Sequence, residues 1–81
     1  MKFFVYVLYS ETANLHYTGF TNNLPLRLLS HNTFGKGWTK KYRLWKLIFS
    51  KEFDAKSDAT QYEKWLKTGQ GRMFITNLVV D

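Results

Sequence analysis

The chain has 81 residues, no cysteine, and a formal net charge of +6 from twelve Lys and Arg against six Asp and Glu. That length makes a single domain, residues 1–81, and the lack of cysteine excludes disulfides and thiolate metal sites. No run of about 18 apolar residues offers a membrane span, and the excess positive charge points to an anionic partner, nucleic acid first.

Residues 3–9, FFVYVLY, read as a strand with Phe3, Val5, Val7 and Tyr9 on one face and Phe4, Tyr6 and Leu8 on the other. Both faces are apolar, which predicts a central strand covered on both sides. The segment has the hydrophobicity of a short signal peptide but no small-residue cleavage site, and aromatic residues alternate with β-branched ones as in a strand. It is read as structure, and the protein as cytoplasmic. The polar loop 10–14 leads into a second strand, 15–20, closing an antiparallel hairpin. Tyr6 and Tyr17 then sit on adjacent strands, near enough for their phenols to serve one site. Cross-strand packing is the commoner role of such a pair.

Thr21, Asn22 and Asn23 favour a turn and a helix N-cap, and Pro25 falls in the first helical turn, where proline is tolerated. On that helix Arg27 and His31 are four apart with Ser30 beside them, so a guanidinium and an imidazole share a face. Pro25, Leu26, Leu28 and Leu29 take the opposite side, a pattern that an ordinary amphipathic helix also shows. Residues 33–41, TFGKGWTKK, form a loop. Lys36, Lys40, Lys41, Arg43 and Lys46 lie in one acid-free stretch, with Trp38, Tyr42 and Trp45 interleaved. Clustered cations among aromatics suit phosphate contact and base stacking, although the same aromatics also suit a core.

A third strand is predicted over 44–53, with Trp45, Leu47, Phe49 and Phe53 on one face and Lys46, Ser50 and Glu52 on the other, joined by Ile48. This is the pattern of an edge or half-covered strand. Ser57 is a good N-cap for a second helix over 58–68, and Gly69 stands where a left-handed C-terminal cap is expected. Ala59, Tyr62, Trp65 and Leu66 make the buried face of that helix. Glu63 lies at its border, where a carboxylate looks into a cleft or into solvent. Residues 72–78 read as a short helix with Asn77 on it.

Taken in order, these features resemble the GIY-YIG nuclease family. The likeness is to small single-domain members related to the nuclease module of the bacterial excision-repair endonuclease. Phe4-Val5-Tyr6 stands at the first family triad and Tyr17-Thr18-Gly19 at the second. Arg27 matches the characteristic helix arginine, His31 its frequent partner, and Glu63, within YEKWLK, the metal-binding glutamate. The ending from Gly71 to Leu78 is similar to that of the small members, with Asn77 at the family's C-terminal asparagine. Phe4, Val5 and Thr18 depart from the triads, and Leu44 stands where small members often have proline. Both tyrosines and the second glycine remain.

The resemblance implies an α/β fold, a small three-stranded antiparallel sheet flanked by helices. It also implies a metal-dependent endonuclease that hydrolyses DNA phosphodiesters in repair or recombination, RNA not being excluded. Tyr6, Tyr17, Arg27, His31 and Glu63 would form the catalytic set. Lys36, Trp38, Lys40, Lys41, Arg43 and Asn77 would contact nucleic acid. Mg²⁺ or Mn²⁺ would rest on Glu63, a single carboxylate being enough where waters and substrate phosphate complete the shell. The planar fork of Arg27 would hold a pair of phosphoryl oxygens. Tyr6 would act as general base, its phenolate favoured by Arg27, His31 and the metal. Tyr6, Tyr17, Arg27 and Glu63 should then line one concave surface. Two other readings are a non-catalytic nucleic-acid-binding module and a repair subunit that depends on a protein partner for targeting.

Overall fold

The computed structural model describes residues 2–30, 32 and 45–79. Strand β1 (Phe3–Ser10) runs between β2 (Leu15–Thr21) and β3 (Lys46–Phe53) in an antiparallel sheet of order β2–β1–β3. Among the described residues three helices accompany it: α1 (Leu24–Leu29), α2 (Lys56–Leu66) and α3 (Gly69–Val79). This is the α/β class expected, and β1 is the central strand.

The two-residue period of β1 divides the core. Val5 and Val7 point to one side, where they pack with Ala59 and Leu66 of α2 and Ile75 of α3. Tyr6 and Leu8 point to the other, where Trp45, Tyr17, Leu24 and Leu28 surround them. α1 therefore covers one face of the sheet, while α2 and α3 cover the other. Full burial of Val5, Val7 and Leu8 is worth roughly 1.5–3 kcal/mol each, which suffices to hold both layers on one strand.

The β1–β2 loop closes through Asn14, whose φ of 54° is in the left-handed region that asparagine tolerates. Its side chain accepts a hydrogen bond from the Tyr9 hydroxyl at 2.9 Å. The turn from β2 into α1 is capped as expected: the Leu26 N–H donates to Asn23 Oδ1 at 3.2 Å, with Pro25 in the first turn. Asn32 performs a longer-range closure. Its Nδ2 donates to the Trp45 carbonyl at 3.1 Å while the Trp45 N–H donates to its Oδ1 at 2.7 Å. One amide side chain thus pairs with the backbone of a buried tryptophan thirteen residues on.

Four local expectations change. Strict alternation along 44–53 put Trp45 and Phe49 on one face, but the pairing slips at a bulge, with Val7 opposite Phe49 and Leu8 opposite Leu47. Ile48 is the extra residue, so Phe49 and Phe53 face α2 and α3 while Trp45 joins Tyr6 on the other side. The second helix begins at Lys56 instead of Asp58, with Ala55 at the N-cap position and no side-chain cap. Gly69 is not a left-handed terminator but the first residue of α3. Thr68 explains that change: its Oγ1 accepts from the Gly71 N–H at 3.3 Å and donates to the Trp65 carbonyl. It thereby ends α2 and caps α3, which is longer than the helix expected over 72–78. Finally, Leu26 and Leu29 of α1 are exposed, and Leu24 and Leu28 pack inward.

Candidate functional site at the edge of the sheet

In the sheet register Tyr6 pairs with Gly19 and Leu8 with Tyr17, so Tyr6, Tyr17 and Gly19 share the α1 face. Tyr6 is 1% exposed. Its phenol lies directly over Gly19, where a Cβ would stand 2.8 Å from Tyr6 Oη and 3.0 Å from Cζ. The backbone of Gly19 is not in the left-handed region, so the glycine is required here for space and not for conformation. Because β2 is an edge strand, this empty position carries the buried phenol to the margin of the sheet. The Tyr17 ring lies beside it, centroids 6.2 Å apart and planes at 41°.

Arg27 comes from α1. At 100° per residue it falls 60° from Leu24 and 100° from Leu28, beside the inward-packed leucines and not opposite them. Its guanidinium consequently bears on Tyr6 and draws the phenol pKa down. Burial acts more strongly in the other direction, and together with Tyr17 and Glu63 it pushes the Tyr6 phenol well above the ordinary tyrosine value. The influence of Arg27 thus has the expected sign, but burial outweighs it and Tyr6 is held protonated. Tyr17, Arg27 and Glu63 thus each act electrostatically on the one phenol.

Glu63 arrives from the opposite layer. Tyr62, its neighbour on α2, packs against Phe49 and Phe53 of β3, and the next residue turns toward β2. The Glu63 side chain is only 17% exposed, and Lys67 Nζ donates to its Oε2 at 3.1 Å. Tyr6 and Tyr17 thus lie on the α1 face of the sheet, while the helix that bears Glu63 packs on the opposite face.

Beside this edge lies a cleft of about 370 Å³ lined by His16, Tyr17, Thr18, Leu66, Lys67 and Arg72. Burial and the nearby Arg72 cation both lower the His16 pKa. Sequence reading gave no site role to His16, Lys67 or Arg72. The i,i+4 spacing of Glu63 and Lys67 was the one local signal available.

Asn77 is exposed on α3, about 140° around the helix from Arg72. The two flank the buried Gly71–Ile75 stripe on opposite sides, and Arg72 is the one that lines the cleft. His31, Lys36, Trp38, Lys40, Lys41 and Arg43 lie outside the described residues. Lys46, the described member of that basic stretch, is ion-paired with Glu11 at 3.3 Å, and Trp45 belongs to the core.

Among the described residues no three His, Cys, Asp or Glu side chains gather as a ready-made metal cage. Glu63 supplies one carboxylate that already attracts a cation, Lys67. This donor set fits a hard ion that keeps its waters and takes substrate phosphate, not an all-protein site.

A buried strand tyrosine, acted on by the charges of an arginine and a carboxylate from two helices, marks a small α/β protein with a polar site at its sheet edge. The family profile described as the GIY-YIG catalytic domain matches residues 2–74; the chain belongs to that family, which is one of nucleases. Among relatives, it is 44% identical over 69 residues to a UPF0213 protein of Limosilactobacillus reuteri, covering 82% of this chain and 71% of that one. It is 41% identical over 68 residues to UPF0213 protein YsiG of Lactococcus lactis, covering 82% and 64% of the two chains. The solution structure of UPF0213 protein BH0048 from Bacillus halodurans shares the fold, with a TM-score of 0.58 at 23% identity over 96% of this chain and 85% of that chain. Among the described residues no helix is long and apolar enough to cross a membrane.

Proposed function

We propose that the protein is a metal-dependent endonuclease that hydrolyses DNA phosphodiester bonds, with Tyr6, Tyr17, Arg27, His31 and Glu63 as its catalytic set. The observation that carries this reading is a buried Tyr6 phenol on which Arg27 and Glu63, from two helices, both act electrostatically. Phosphodiester hydrolysis needs an activated water, neutralisation of the phosphoryl oxygens and help for the leaving oxygen. Arg27, exposed at the rim, offers a bidentate fork to non-bridging oxygens. Tyr6 is fixed in place by Gly19 and the surrounding core. It holds its proton until positive charge gathers around it and Tyr17 or His31 helps to take that proton away; the phenolate then accepts the proton of the attacking water. Tyr17, 6.2 Å away by ring centroid, is placed to hydrogen-bond the same water or the substrate.

Glu63 would hold a divalent cation, Mg²⁺ or Mn²⁺, which when bound supplies Lewis-acid stabilisation to the phosphoryl and leaving oxygens. Lys67 neutralises the carboxylate meanwhile, and must move aside for such an ion to bind. The basic stretch bearing Lys36, Trp38, Lys40, Lys41 and Arg43, with Asn77, would supply further nucleic-acid contacts. A role in repair or recombination is what the family resemblance implies, and the little surface that so small a domain leaves for target recognition favours a targeting partner.

The test is Glu63→Gln, which keeps volume and removes the charge a hard cation needs. Nicking of supercoiled and branched DNA in saturating Mg²⁺ should fall by at least ~100-fold, the scale for loss of one electrostatic element of a transition-state site. DNA affinity should persist and the fold should be intact. A wild-type nicking rate from this variant would remove the metal role and leave a binding module.

A further inference from the structure

Of the residues lining the cleft beside the site, His16, Thr18, Leu66 and Arg72 have no part in the chemistry above, and the lining is one-sided. Lys67 and Arg72 contribute eight N–H donors in all, Tyr17 and Thr18 contribute hydroxyls, and His16 an imidazole; Leu66 forms an apolar wall. Among the described residues no carboxylate lines it and none pairs with Arg72. The volume of about 370 Å³ lies within the ~300–1,000 Å³ range of ligand clefts. Thr18 is 7% exposed, while His16, Lys67 and Arg72 are exposed, so a buried hydroxyl lies beneath a solvent-facing rim of cations.

Two residues tie this cleft to the neighbouring site. Tyr17 lines the cleft and also packs on Tyr6. Lys67 lines the cleft and also holds Glu63 at 3.1 Å. An occupant of the cleft is therefore adjacent to whatever lies against Tyr6, Arg27 and Glu63. Successive phosphates of one nucleic-acid strand stand in that relation; a free anion would not need the connection.

We infer that the cleft between β2 and the α2–α3 corner is a phosphate subsite, seating a backbone phosphate of the DNA strand next to the one presented to Tyr6, with Arg72 and Lys67 as its cationic clamp. This rests on the nucleic-acid reading of the adjacent site but not on cleavage. Arg72 is a positioning residue: it holds the strand, and the reacting phosphate follows. Lys67 serves two anions in turn. Drawn to a strand phosphate, it releases Glu63.

The test uses the intact chain, a short DNA duplex and EDTA, so that binding is read without turnover. Arg72 is exposed, and Arg72→Gln should melt as wild type. Its log affinity against log salt should lose about 0.9 of slope, the value for one phosphate contact on duplex DNA. In wild type, the His16 and Thr18 resonances should shift on adding duplex, and the His16 pKa should rise as an anion offsets Arg72. Arg72→Lys should retain the slope, since the charge remains. Inorganic phosphate at matched phosphate concentration should produce less than a tenth of these shifts. An unchanged slope in Arg72→Gln, or His16 resonances unmoved by duplex, would overturn the proposal, as would a response to inorganic phosphate equal to that with DNA. These outcomes are separable from the nuclease reading, which stands or falls on Glu63→Gln.

Discussion

Replacing Gly19 by alanine tests the geometry that brings the Tyr6 phenol to the sheet edge. The added methyl would sit 2.8 Å from Tyr6 Oη, 3.0 Å from Tyr6 Cζ and 3.3 Å from Tyr17 Cε1. A tyrosine at the surface would swing away at little cost. Tyr6 cannot, because it is 1% exposed and enclosed by Leu8, Trp45, Leu24 and Leu28. Overpacking of this kind costs about 1–3 kcal/mol, and the entropic gain of Gly→Ala returns roughly 0.4–1 kcal/mol. The net loss is then about 1–2 kcal/mol, or a fall in Tm of roughly 5–15 °C for a chain this size. Activity should fall further than stability, since the displaced atom is the phenol oxygen itself. A double-mutant cycle with Tyr6→Phe isolates the cause. Removing Oη takes away the closest contact, so Gly19→Ala should cost about 0.5–1 kcal/mol less in that background. Thermal melts of the four proteins and nicking rates of the two with Tyr6 measure both effects. The same penalty with and without the hydroxyl would show that Tyr6 does not lie over Gly19, and the site as described would be wrong.

The two helical glycines should behave oppositely. A Cβ at Gly71 would stand 2.2 Å from the Trp65 carbonyl oxygen and 2.4 Å from Leu66 Cα, backbone atoms that cannot yield, whereas at Gly69 nothing lies within 4 Å. Gly71→Ala should therefore destabilise by about 3 kcal/mol or more, and Gly69→Ala should be neutral or gain up to ~1 kcal/mol, as read by urea denaturation. Tyr6 also sets a pH dependence. Its folded pKa is raised above the unfolded value of about 10, so its contribution to stability is complete below pH 10 and is lost as pH rises beyond it. Melts of wild type should decline above pH 10 more steeply than those of Tyr6→Phe. If Tyr6 is the base, the nicking rate should also climb about tenfold per unit between pH 7 and 9.

What could be read along the chain was whatever depends on near neighbours. The alternation of residues 3–9 settles that β1 is a strand with two apolar faces, hence central, because side-chain direction in a strand depends only on position. The Asn23 cap and Pro25 likewise place the start of α1 through contacts within three residues. Tyr6 and Tyr17 come together because a short hairpin has one register, which also sets Gly19 beneath the phenol. The tertiary structure decided the rest. The bulge at Ile48 sends Trp45 and Phe49 to opposite faces, a choice made by what β1 and the two helical layers have room for. Thr68 serves α2 and α3 at once, and the close packing at Gly71 that follows from that corner brings Arg72 to β2. Glu63 acts on Tyr6 from α2, a helix packed on the far face of the sheet. Each of these depends on contacts between residues far apart in sequence, where no local propensity or period carries a signal.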